Sequence, residues 1–212
     1  MVFDNTISIA DIISILGLTL SFITIIFLFI QRKDLSRIYL SIKDDKPSHK
    51  FKNNRHVEET LFIKLLGNSV ARNIKLKYKL VSDKIQITNN IYRSAKGDTL
   101  ICIKNDEYFD NICQEDNLNI SQSLHGIMYA ILDDISMLLP SFKYKDKIDV
   151  NINYVLIEIS YQDINGYTYY QYYKIDVQVT AMDFFKNEFD YSINIEEVNK
   201  KNFKKLLNYK SL

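Results

Sequence analysis

From Ile12 to Ile30 the chain runs nineteen residues without a charge; beyond it, the spacing of apolar residues changes from a continuous run to alternation. Nineteen helical residues rise about 28 Å, close to the ~30 Å of hydrocarbon in a bilayer. The run carries only scattered Ser and Thr and no polar face, so it predicts a spanning helix rather than the core helix of a soluble protein. With Ile7 to Asp11 added it is long enough to tilt, with Asp11 at the headgroups. A cleaved signal peptide would open on a basic segment and close on small residues. Here Met1 to Thr6 carries only Asp4, and Gln31, Arg32 and Lys33 follow the run; no cysteine is placed to take a lipid. Residues 1–33 therefore read as a single transmembrane anchor and 34–212 as the body it holds. Arg32, Lys33, Arg37, Lys43 and Lys46 follow the run closely and no basic residue precedes it. The positive-inside tendency then puts the N-terminus outside and residues 34–212 in the cytoplasm, at the inner (plasma) membrane.

Alternation dominates that body. Ile38, Leu40 and Ile42 alternate with polar residues in 37–43, Leu61, Ile63 and Leu65 in 60–66, and Ile74, Leu76, Tyr78 and Leu80 in 72–81. Period two marks strands with one buried face. Residues 99–104 are a shorter candidate. Lys64, Lys75, Lys77 and Lys79 read as charged positions on one hairpin that discourage edge-to-edge pairing.

The strongest hairpin pattern is Val155 to Val179. Val155, Ile157, Ile159 and Tyr161 share one face of its first strand. Tyr167, Tyr169, Tyr173, Ile175, Val177 and Val179 share a face of its second, with Gln171 as the exception. A two-residue Asn165-Gly166 turn would set the apolar face against the polar one. An odd-length loop, with Tyr161 opposite Tyr167 and Ile159 opposite Tyr169, keeps the faces together. The outer face then pairs Ser160 with Thr168, Glu158 with Tyr170 and Leu156 with Tyr172. Leu156, Tyr170 and Tyr172 on this face form a candidate partner surface, unless the helix of 122–139 covers them.

That helix is predicted from Leu124, Ile127, Met128, Ile131, Leu132, Ile135 and Leu138, with Ser121 or Ser123 as cap and Pro140 as the stop. A second, basic helix is expected over 196–208. Its Lys200, Lys201, Lys204 and Lys205 are candidate contacts for anionic lipid. The fold class is thus mainly β with one or two helices, a sandwich or small barrel behind an N-terminal transmembrane helix.

Composition narrows function mainly by exclusion. A net charge of +1 over 212 residues argues against a nucleic-acid binder. Cys102 and Cys113 alone cannot make a four-ligand zinc site, and His49, His56 and His125 show no motif spacing. With Gly at 5 and Pro at 2, Asn and Asp must form most turns. The acidic pairs Asp133-Asp134, Asp44-Asp45 and Glu196-Glu197 read as solvated or capping groups. Gly97-Asp98 is an ordinary turn, and no phosphate loop or catalytic constellation is legible. The expectation is a protein with no cofactor, no metal and no enzymatic activity.

Two segments carry a resemblance. LLGNSVARNIKLKYKL (Leu65 to Leu80) and YQDINGYTYYQYYKI (Tyr161 to Ile175) resemble the strand ends of bacterial single-pass membrane proteins with a cytoplasmic immunoglobulin-like β-sandwich. Leu65 stands where that pattern has the Asn of its turn. The resemblance implies a sandwich with pairing between these segments and no active site.

In the anchor, Ala10, Ser14, Gly17, Ser21 and Thr24 recur at steps of four, three, four and three, lining small side chains along one stripe. Such stripes let spanning helices approach closely, so homo-oligomer formation through this face is one expectation. Two functions remain: a scaffold that recruits a protein partner to the inner membrane surface, or an antiphage-type effector. The effector's cytoplasmic domain would sense a nucleotide or protein signal while its anchors assemble to perturb the membrane.

Overall fold

The structure is a computed structural model that describes residues 9–35, 38–52, 55–56, 61–66, 70–82, 85, 87–88, 91–93, 100–102, 105–113, 116–142, 153–183, 186 and 188–208. Arg37, residues 67–69 and the expected Gly97-Asp98 turn lie outside the described residues. In chain order the elements are α1 (Ile9–Leu35), β1 (Tyr39–Asp44), β2 (His49–Lys52), β3 (Arg55–His56), β4 (Leu61–Leu66), β5 (Ala71–Ser82), β6 (Ile87–Thr88), β7 (Ile91–Arg93) and β8 (Leu100–Cys102). There follow β9 (Asp106–Ile112), β10 (Asn117–Asn119), α2 (Ser121–Phe142), β11 (Asn153–Gln162), β12 (Thr168–Asp183), β13 (Glu188–Glu197) and α3 (Lys200–Leu207). The chain divides into two units, Met1–Arg37 and Ile38–Leu212.

The first unit is α1. Its stretch Ile9–Gln31 is 23 residues long; its most apolar window has a mean hydropathy of 2.6 and none of that window is buried. By length and composition it can cross a membrane.

The second unit is mainly β. Its large antiparallel sheet has the order β3-β2-β13-β12-β11-β5-β9 and curls. A smaller sheet, β1-β4-β10, and α2 face it across the main core, and β6-β7-β8 form a third. The alternation predicts the buried faces well. Ile38, Leu40, Ile42, Leu61, Ile63, Leu65, Ile74, Leu76 and Tyr78 are all buried, as are Val155, Ile157, Ile159 and Tyr161. On α2, Leu124, Ile127, Met128 and Ile131 close the same core, while Leu132 packs with Phe51, Phe189 and Tyr191 over β2 and β13.

Several local expectations are corrected. The hairpin keeps the predicted parity, but its register is displaced by two. Tyr161 pairs with Tyr169, Ile159 with Gln171, Ser160 with Tyr170 and Glu158 with Tyr172. The cause is a five-residue loop, 163–167, organised by one carboxylate. Asp163 Oδ1 accepts the N–H of Asn165 and of Tyr167, both at 2.9 Å, and Oδ2 accepts the Tyr169 hydroxyl at 3.2 Å. Gly166 supplies the positive φ of 81° that this path needs.

Neither serine caps α2. Ile120 takes the position before the helix, its carbonyl accepting Leu124 N–H at 3.1 Å. Ser121 Oγ accepts the Leu61 N–H at 2.8 Å, and Ser123 donates to Glu107. The helix also runs two residues past Pro140, to Phe142; proline forfeits its own N–H bond but holds a helical φ, so the final turn continues. Glu196 and Glu197 belong to β13, and α3 starts only at Lys200, with Asn199 Oδ1 accepting the Asn202 N–H at 2.9 Å. Finally, β4 and β5 lie in different sheets, so Lys64 shares no hairpin with Lys75, Lys77 and Lys79. The last three sit on a central strand, between β11 and β9, where Lys77 Nζ meets Glu158 at 3.3 Å.

Candidate functional surfaces

On α1, the small-residue stripe Ala10, Ser14, Gly17, Ser21 and Thr24 is fully outward. Its hydroxyls are spent on the helix itself: Ser14 donates to Ala10 O at 2.8 Å, Ser21 to Gly17 O at 2.9 Å and Thr24 to Leu20 O at 2.8 Å. Such back-bonding satisfies the hydroxyls where no water is present. What the stripe offers a second helix is therefore close backbone approach at Gly17, where an added Cβ would meet nothing within 4 Å.

The outer face of the large sheet differs from expectation in what covers it. Leu156 is fully buried and Tyr172 is 8 % exposed. They pack with Val81, Tyr154, Val198 and Phe203, under α3. The Phe203 and Tyr172 rings lie 4.7 Å apart, and the Tyr154 hydroxyl donates to Leu206 O at 3.1 Å. The cover is α3, not α2, which packs on the opposite face. Leu156 and Tyr172 are thus an internal contact rather than a partner surface. Of the three residues singled out, Tyr170 alone stays exposed, at 54 %.

Register places Tyr170 at one end of a row. Tyr170 lies opposite Ser160, Ser160 opposite Lys75, and Lys75 opposite Tyr108, across β12, β11, β5 and β9. Tyr108 is 64 % exposed, and Lys75 Nζ stands 4.6 Å from its ring centroid. The Tyr108 phenol is the main cause that holds the Lys75 amine above its ordinary value. Two open aromatic rings thus frame a lysine on an uncovered part of the sheet. Sequence alternation identifies Lys75, Ser160 and Tyr170 as outward; it does not mark β9 and its Tyr108 as a strand, and only the pairing brings them beside β5.

On α3, Lys200, Lys201, Lys204 and Lys205 are all exposed, with Phe203 as the buried contact of the helix. Val198 N–H bonds to Tyr172 O at 2.9 Å near the start of α3, and Leu206 reaches Tyr154 near its end. The helix therefore runs along the sheet, away from the 163–167 loop.

The acidic pairs are less uniform than expected. Asp133 is fully buried on α2. Its Oδ2 accepts the Tyr92 hydroxyl at 2.8 Å, while Oδ1 has no hydrogen-bond partner among the described residues. Asp44 Oδ2 lies 2.7 Å from Nε2 of the buried His49, whose ring stacks on Tyr191. Among the described residues, no three His, Cys, Asp or Glu side chains converge to hold a metal ion. The correction has a simple cause. Adjacent acids on a helix face different directions, and Asp133 shares the inner face with Ala130 and Ser136, whereas Asp134 is half-buried and accepts from Asn153 at 2.7 Å.

No family model, no curated protein and no solved structure matches this chain.

Proposed function

We propose that this chain is a membrane-anchored binding module without enzymatic activity, whose C-terminal unit recruits a protein partner to the cytoplasmic surface of the inner membrane. The observation that carries this reading is α1: a largely apolar stretch of 23 residues with none of its most apolar window buried, joined to a unit that closes its own core. Such a helix exposed to water would be strongly unfavourable, at about 25 cal/mol for each Å² of apolar surface. A bilayer removes that cost. Arg32, Lys33, Arg37, Lys43 and Lys46, following closely, favour the cytoplasmic side for the C-terminal unit. The row Tyr108, Lys75, Ser160 and Tyr170 is the surface for the partner, because Tyr supplies large contact area at low entropy cost.

Two measurements test the reading. Alkaline carbonate should leave the protein in the membrane, and protease added outside intact cells should spare its C-terminal unit. Proximity labelling from the full-length protein should then lose the same neighbour when Tyr108 and Tyr170 are both replaced by Ala. An unchanged set of neighbours removes the row as the partner surface.

The small-residue face of α1 favours a second reading, an effector whose anchors assemble to perturb the membrane. Gly17→Leu and Ser21→Leu would block close approach of the helices. Depolarisation of cells by the intact protein, lost in that double variant, supports the effector; no depolarisation under any trigger supports the scaffold.

A further inference from the structure

The C-terminal unit begins at Ile38, and the Ile38 carbonyl accepts the Tyr161 hydroxyl at 2.5 Å. Tyr161 stands next to Gln162, the last paired residue before the 163–167 loop. The start of the unit and the hairpin tip therefore share one end of the fold. Tyr39, paired with Leu66, lies at that same end. Four of the eight exposed large apolar side chains described in this unit gather there: Ile164 at 53 %, Tyr167 at 46 %, Leu66 at 40 % and Tyr39 at 37 %. The tip is held rather than loose, since the buried Asp163 carboxylate binds the Asn165 and Tyr167 amides.

Chain reach connects this end to a bilayer. The apolar run ends at Ile30, eight residues before Ile38, and five of those eight are helical. Helix and extended chain together span at most about 18 Å. The polar headgroup layer itself takes up about 5–8 Å of that on each side. Tyr is enriched at this boundary because its ring is apolar and its hydroxyl is wet.

We propose that the rim of Ile164 and Tyr167, flanked by Leu66 and Tyr39, docks into the headgroup interface of the bilayer. This rests on reading α1 as a spanning helix. The occupant is lipid because the chain keeps this end, unlike the β12–β13 turn at Lys186, within reach of the surface. The 16 residues of β12 separate that turn from the hairpin tip, about 50 Å of strand.

The test uses the full-length chain in phosphatidylcholine–phosphatidylglycerol vesicles, with Cys102 and Cys113 replaced by Ser. Single cysteines introduced by Ile164→Cys, Tyr167→Cys or Lys186→Cys carry an environment-sensitive fluorophore. Lipids spin-labelled at the headgroup should quench the probes at 164 and 167 several-fold more than the probe at 186. Equal quenching at all three sites, in protein that resists carbonate extraction, overturns the docking while leaving the anchor intact. Release of the protein by carbonate overturns the spanning reading and the docking with it.

Discussion

The amide of Leu40 donates to the side-chain carbonyl of Gln171 at 2.9 Å, across 131 positions of sequence. Gln171 is 6 % exposed on the apolar face of β12, and its neighbour Tyr173 donates its hydroxyl to the Leu40 carbonyl. Both backbone groups of Leu40 are thus met by side chains of the other sheet. The polar exception in an apolar pattern joins the edge of the small sheet to the large one, where an unmet buried amide is costly. Gln171→Leu should lower stability by about 1–3 kcal/mol. Tyr173→Phe should cost a similar amount, and the double variant less than the sum. Denaturant unfolding of the detergent-solubilised chain reads all three; strict additivity would separate the two bonds.

Asp163 organises the hairpin tip through three hydrogen bonds. Asp163→Ala leaves two half-buried amides without their acceptor and should cost about 1–3 kcal/mol. Asp163→Asn, which retains an acceptor oxygen, should cost less. Hydrogen exchange checks the location of the effect: the Asn165 and Tyr167 amides should lose protection while those of β5 keep it.

The Asp133–Tyr92 contact is a buried carboxylate that depends on one hydroxyl. Tyr92→Phe should destabilise by about 1–3 kcal/mol, because the buried carboxyl group is left without its donor. Adding Asp133→Leu should restore part of the loss, since the polar group that needed the hydroxyl is gone. A double-mutant cycle by chemical denaturation measures the coupling.

Alkaline pH should loosen the fold. The phenols of Tyr78, Tyr92 and Tyr173 are all held above the ordinary tyrosine value of 10.0, in each case first by burial. The charge of Glu107 adds to the effect at Tyr78, and the hydrogen bond to Asp133 at Tyr92. A raised folded-state value means the folded chain holds its proton more tightly than the unfolded one. That stabilisation is complete below the unfolded value and is lost as pH rises above it. Stability should therefore fall above about pH 10, by up to about 1.4 kcal/mol per pH unit for each phenol. Tyr173→Phe should lose one such share of the slope. Unfolding free energy followed between pH 8 and about pH 11.5 tests the sign.

The local pattern of the sequence determined a good deal of this protein. The uncharged run and the inward faces of β1, β4, β5 and β11 are legible because a side chain's direction follows from its own backbone, with period 3.6 in helices and two in strands. Parity of the hairpin was legible for the same reason, since the wrong parity buries the polar face. Its displacement by two residues was not, because both registers have equal parity and the choice rests on the contacts of Asp163. Which helix covers Leu156 and Tyr172 was likewise decided by tertiary structure: α2 and α3 both have apolar sides, and only the sheet order assigns each a face. The Tyr108–Lys75–Ser160–Tyr170 row and the burial of Asp133 belong to the same class. They depend on which distant strands and helices become neighbours, and alternation along a single strand carries no record of the partner across from it.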